Sequence, residues 1–162
     1  MSADLHPTDA VGRTLEWLCD VSAALGGVIL VAMASMTVVS VVGRAFFDHP
    51  ILGDVELVQL GCAVVVAAFL PYAQFKRANI IVDFFTTGAS AHTQRRLDAL
   101  GTLLYTLVMA LLAWRVAVGG IDIHAAGERS MLMDLPLWVT YALMVPGFVL
   151  CTVIGAYQTV QQ

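Results

Sequence analysis

Val21–Gly43 reads VSAALGGVILVAMASMTVVSVVG, a stretch without a single Asp, Glu, Lys, Arg or His. At about 1.5 Å per helical residue it is long enough to cross a hydrocarbon layer of about 30 Å. An open strand could not cross there, because each backbone N–H and C=O in lipid needs an internal partner. Leu57–Phe75 and Leu135–Gln162 repeat the charge-free pattern, and Ala99–Ile121 interrupts it only with Arg115. These segments predict an all-α integral membrane protein of four transmembrane helices. The expected spans are approximately 18–43, 55–75, 97–119 and 135–157, in one membrane domain covering 1–162.

Composition narrows the function. Of 162 residues, 59% are hydrophobic and 12% charged, about half the charge of an average soluble domain. Four spans and their connections use nearly the whole chain, which leaves no room for a catalytic domain outside the membrane. A net charge of −4 and a pI near 5.3 provide no basic face for nucleic acid. Asp4, Asp9, Glu16 and Asp20 outnumber Arg13 before the first apolar run, and that run is too long for a signal peptide. It is expected to remain as the first helix. Cys62 and Cys151 fall at different membrane depths, so no disulfide is expected between them.

Loop charge sets the expected orientation. Lys76, Arg77, Arg95 and Arg96 lie between the second and third spans, and Arg13 lies in the N-terminal tail. Arg44, Arg115 and Arg129 belong to the opposite side. Five basic residues against three place both termini in the cytoplasm. Trp17, Tyr72 and Tyr157 then mark the inner interface, and Phe46, Phe47, Trp114 and Trp138 the outer one. Ile80, Ile81, Val82, Phe84 and Phe85 surround Asp83. That pattern suits a short helix lying in the inner interface, or a simple continuation of the second span.

Candidate functional residues sit at the helix ends. Asp54 and Glu56 open the second span, where carboxylates satisfy free N–H groups and the helix dipole. The same pair could contact a partner subunit, or pair with Arg44 across the short outer loop. Arg115 lies near the end of its span and can extend its guanidinium to headgroups, or reach a lipid phosphate or a partner. Lys76, Arg77, Arg95 and Arg96 form the inner set of partner- or lipid-contacting candidates. His6, His49, His92 and His124 fall in tails or loops rather than facing one another inside a bundle, so no haem or other cofactor is expected. Small residues recur at Gly147, Cys151 and Gly155, at Ser22 and Gly26, and at Ala63 and Ala67. That spacing lets helices approach closely. No nucleophile elbow, paired buried carboxylates, glycine-rich phosphate loop or metal-spaced Cys/His cluster appears, so the chain does not read as an enzyme.

Several stretches together resemble the small membrane (Q-type) subunit of tripartite ATP-independent periplasmic (TRAP) transporters. They are Val42-Gly43-Arg44, Gly53-Asp54-Val55-Glu56-Leu57, Lys76-Arg77-Ala78-Asn79-Ile80-Ile81-Val82-Asp83, Arg95-Arg96, Asp134-Leu135-Pro136-Leu137-Trp138, Tyr141 and Pro146-Gly147. The chain departs from that family's pattern where Val55 separates the two acids and where Asn79 replaces a frequent histidine. The resemblance implies a bacterial inner-membrane scaffold subunit beside a large permease subunit, with phospholipids in part of the contact. A periplasmic binding protein would deliver an organic acid, imported together with sodium. The rival reading is a membrane anchor of a respiratory haem or quinone complex, which would need histidines inside the spans. A self-sufficient exporter would need a deep carboxylate for proton coupling, and the spans contain none.

Overall fold

The structure, a computed structural model, describes residues 10–47, 51–76 and 91–160. Its elements are α1 (Ala10–Phe47), α2 (Asp54–Phe75), α3 (Ala91–Ala126) and α4 (Trp138–Val160). Each is long and apolar enough to cross a membrane, as the charge-free segments predict. The interfacial helix expected around Ile80–Phe85 lies outside the described residues.

Two helices overrun their expected ends. α1 has 38 residues and α3 has 36, about 57 and 54 Å at ~1.5 Å per residue. Membrane thickness limits where side chains must be apolar, whereas the backbone ladder continues wherever nothing stops it. Glu16, Asp20, Asp122 and His124 therefore ride on helix beyond the apolar stretch. α3 stops at Gly127, whose φ of 66° suits the left-handed residue of a Schellman ending. Gly127 N–H donates to the His124 carbonyl and Glu128 N–H to the Ile123 carbonyl, both at 3.2 Å. α4 begins at Trp138 rather than 135, because Pro136 disfavours helical geometry in the residue before it.

α2 and α4 form the middle of the molecule. α1 packs on α2, α3 packs on α4, and α1 touches α4 only marginally. One core cluster joins Ala67 of α2, Met109 and Ala113 of α3, and Phe148 and Cys151 of α4. A second joins Leu15 and Cys19 of α1 to Ile154 of α4, with Phe75 of α2 against it. Many apolar side chains point outward, among them Val28, Val31 and Val38 on α1 and Leu103, Leu107 and Leu111 on α3. Lipid or another protein must cover so much apolar surface.

The centre depends on a proline and a glycine. Pro71 has no N–H, so the Ala67 carbonyl one turn earlier lacks its intrahelical donor. Gly147 of α4 packs against that carbonyl, and a Cβ at position 147 would overlap its oxygen. Farther along the stripe Cys151 is wholly buried and Gly155 abuts Thr106 of α3. The predicted small-residue stripe thus serves two neighbours. α1 adds donors beside the same proline: Ser22 Oγ to the Ala68 carbonyl at 2.7 Å, and Cys19 Sγ to the Pro71 carbonyl at 3.6 Å. Cys19, Cys62 and Cys151 are free thiols, with Cys62 exposed.

Candidate functional site

The two ends of α2 gather the polar chemistry of the described residues. At the first, Gly53 is the N-cap with φ 81°, and Asp54 is the first helical residue. Asp54 Oδ1 accepts the Val55 N–H at 2.7 Å. Its other oxygen accepts the Ser40 hydroxyl at 2.5 Å and lies 3.9 Å from the Arg44 guanidinium. Ser40 is fully buried, and its oxygen also accepts the Ile51 N–H at 3.3 Å. The sequence-predicted pair across the α1–α2 loop therefore forms through Asp54, with Ser40 as the inner link. Arg44 is 62% exposed on its side chain, where such a contact contributes little. Replacing Arg44 with Ala should change stability by less than about 0.5 kcal/mol. Ser40→Ala, which strips a buried hydroxyl from a buried network, should cost about 1 kcal/mol or more. Thermal unfolding of the two variants in one detergent measures the difference.

Glu56 points elsewhere. Its carboxylate accepts three successive backbone N–H groups from the α3–α4 connection: Met131 at 2.9 Å, Leu132 at 3.3 Å and Met133 at 3.2 Å. The connection is itself braced. Ser130 N–H donates to the Leu135 carbonyl at 2.9 Å, and Leu135 N–H donates to Ser130 Oγ at 3.2 Å. Arg129 pairs with Asp134 at 2.7 Å. Gly53 completes the joint, since a Cβ there would collide with the Met133 side chain. One carboxylate thus fastens the loop between α3 and α4 to the start of α2.

At the opposite end of α2, Lys76 Nζ lies 3.2 Å from Glu16 Oε1 of α1 and over the Tyr72 ring, 5.8 Å from its centroid. The hydrogen bond from Lys76 to Glu16 holds the ammonium above the usual lysine range. That contribution is present at neutral pH and disappears only as alkaline pH rises through the raised value. Deeper in, Gln74 Nε2 donates to Gln158 Oε1 at 2.9 Å, and Gln158 Nε2 donates to the Gln74 carbonyl at 3.2 Å. Both amides are buried and tie α2 to α4.

The other predicted residues are more scattered. Arg115 is exposed on α3 and forms no ion pair among the described residues. Arg95 and Arg96 fall near the start of α3, and Arg77 lies outside the described residues. Between α3 and α4 runs an open trough of about 390 Å³, lined by Val116, Gly120, Trp138 and Tyr141 among others. His124 stands edge-on to Trp138 at its mouth, with ring centroids 5.1 Å apart.

These features describe a four-helix bundle whose described ion pairs all lie near the helix ends. A family model for the DctQ component of tripartite ATP-independent periplasmic transporters matches residues 33–162. The chain belongs to the DctQ family. Neither the curated proteins nor the solved structures provided a match. The DctQ assignment makes the chain a transporter component and a multi-pass membrane protein. The matched region contains α2, α3 and α4 whole, with Arg44, Asp54, Glu56 and Lys76 inside it.

Sequence reasoning about this DctQ chain missed several residues, Gln74, Gln158, Ser40 and Ser130 among them. Gln74 and Gln158 were findable, because uncharged amides in apolar spans commonly bond across helices. Ser40 looked like any small helical residue. Ser130 and the backbone donors that meet Glu56 leave no mark in residue types, since every non-proline residue carries an N–H.

Proposed function

We propose that this chain is the small, Q-type permease subunit of a TRAP transporter in the bacterial inner membrane, with both termini in the cytoplasm. It enlarges the static scaffold beside a large permease subunit that imports an organic acid with sodium. A periplasmic binding protein supplies that acid. The observation that carries this reading is the DctQ match over apolar stretches that hold no Asp, Glu, Lys, Arg or His except Arg115. Coupled transport needs charged or strongly polar ligands within the membrane, so the transport site belongs to another chain. Lys76, Arg77, Arg95, Arg96, Arg44 and Arg115 are proposed to contact the large subunit or lipid headgroups. Asp54 and Glu56 are proposed to support that contact by shaping the surface around them.

The test is reconstitution. In proteoliposomes this chain alone should move no organic acid. Together with a large TRAP permease subunit and a periplasmic binding protein from the same source, uptake should appear and should require a sodium gradient. Uptake by the large subunit at full rate without this chain would refute the scaffold role.

A further inference from the structure

We propose that the turn at Ser130–Met133 lies in the bilayer's hydrocarbon–headgroup boundary, with Met131 and Leu132 immersed in lipid. The first support is height. From Glu56 to Lys76 the α2 axis advances about 30 Å at ~1.5 Å per residue, one hydrocarbon thickness. Glu56 therefore stands at one edge of the apolar layer, and its hydrogen bonds hold the turn at that level. The connection does not project away from the membrane.

The second support is the state of the backbone. Irregular chain survives near lipid only when its polar groups are satisfied. Across residues 130–137 the N–H groups of Ser130, Met131, Leu132, Met133, Leu135 and Leu137 have acceptors within the protein, Pro136 has no N–H, and the remaining donor belongs to the exposed Asp134. A loop bathed in water has no such need.

The third is the side chains. Met131 is 99% exposed and Leu132 69%, beside Leu52 at 78% and Val55 at 61%. Leu132 and Met133 lie against Gly53, so these residues form one apolar collar rather than scattered points. The exposed Arg129–Asp134 pair flanks these residues in the chain. Apolar side chains at the acyl boundary with charged neighbours in the headgroups match an interfacial anchor. The collar fits a lipid surface, and it is not offered to the binding protein in water.

The test uses the full chain with Cys62→Ala, since Cys19 and Cys151 are buried. Nitroxide labels are placed at Met131→Cys, Leu132→Cys and, as an aqueous reference, Glu128→Cys, in phosphatidylcholine vesicles. The labelled side chains leave the backbone bonds to Glu56 in place, and unchanged helical circular dichroism verifies the fold. At 131 and 132, collisions with oxygen should exceed those with a water-soluble nickel chelate severalfold, and the order should reverse at 128. Chelate-dominated collisions at 131 and 132 would overturn the proposal. Shielding that appears only after the large subunit or binding protein is added would overturn it too, and would make the collar a protein-docking surface.

Discussion

Glu56→Ala should release the 130–133 turn while leaving all four helices formed. The substitution removes one side chain and strands three backbone N–H groups at once, and losing three hydrogen bonds to a charged acceptor costs more than losing one ordinary surface contact. Amide exchange at Met131, Leu132 and Met133 should accelerate by roughly tenfold or more, with exchange in the middle of α2 and α4 little altered. The apparent melting temperature in detergent should fall by several degrees. Glu56→Gln, which keeps one acceptor oxygen and turns an amide toward the donors, should fall between Ala and the parent. If exchange at 131–133 stays at the parent level in Glu56→Ala, the Ser130–Leu135 bonds suffice to hold the turn and Glu56 is dispensable there. In the assembled transporter, loss of uptake without loss of folding would tie the turn to partner contact.

Gly147→Leu should separate α2 from α4. The side chain would have to occupy the space of the Ala67 carbonyl, and backbone on both sides cannot yield as a flexible side chain could. Overpacking of this kind costs about 1–3 kcal/mol and sometimes more, and here it falls on the contact that joins the two middle helices. Gly27→Leu is the matched control. A Cβ at 27 meets nothing within 4 Å, and leucine has better helix propensity than glycine by up to about 1 kcal/mol. The first variant should unfold at lower temperature or aggregate in detergent, and the second should match or exceed the parent. Equal stability of Gly147→Leu and the parent would mean that α2 and α4 do not approach as described.

Legibility in the sequence tracked the kind of interaction. Apolar length announced four helices, because lipid tolerates few other backbone solutions. Helix ends were harder. The 97–119 estimate for α3 followed charge, whereas the backbone ran from Ala91 to the glycine at 127. Gly127 was visible as a stop signal, and weighting it above Asp122 and His124 would have recovered that end. The Arg44–Asp54 contact was open to inference, because a short loop confines the two helix ends to one neighbourhood. The role of Glu56 was not, since its partners are N–H groups of residues 75 to 77 positions away.

By itself, the sequence determined that this chain has four segments able to cross a membrane, that these segments hold almost no charge, and that its charged residues gather near helix ends. Those conclusions need only residue type and run length, which the bilayer converts directly into structure. Tertiary structure alone decided which neighbour each small-residue face meets, how Pro71 and Gly147 share one carbonyl, and what Glu56 holds. Each of those depends on bringing distant backbone atoms within hydrogen-bond or van der Waals reach, and backbone atoms are the same in every residue.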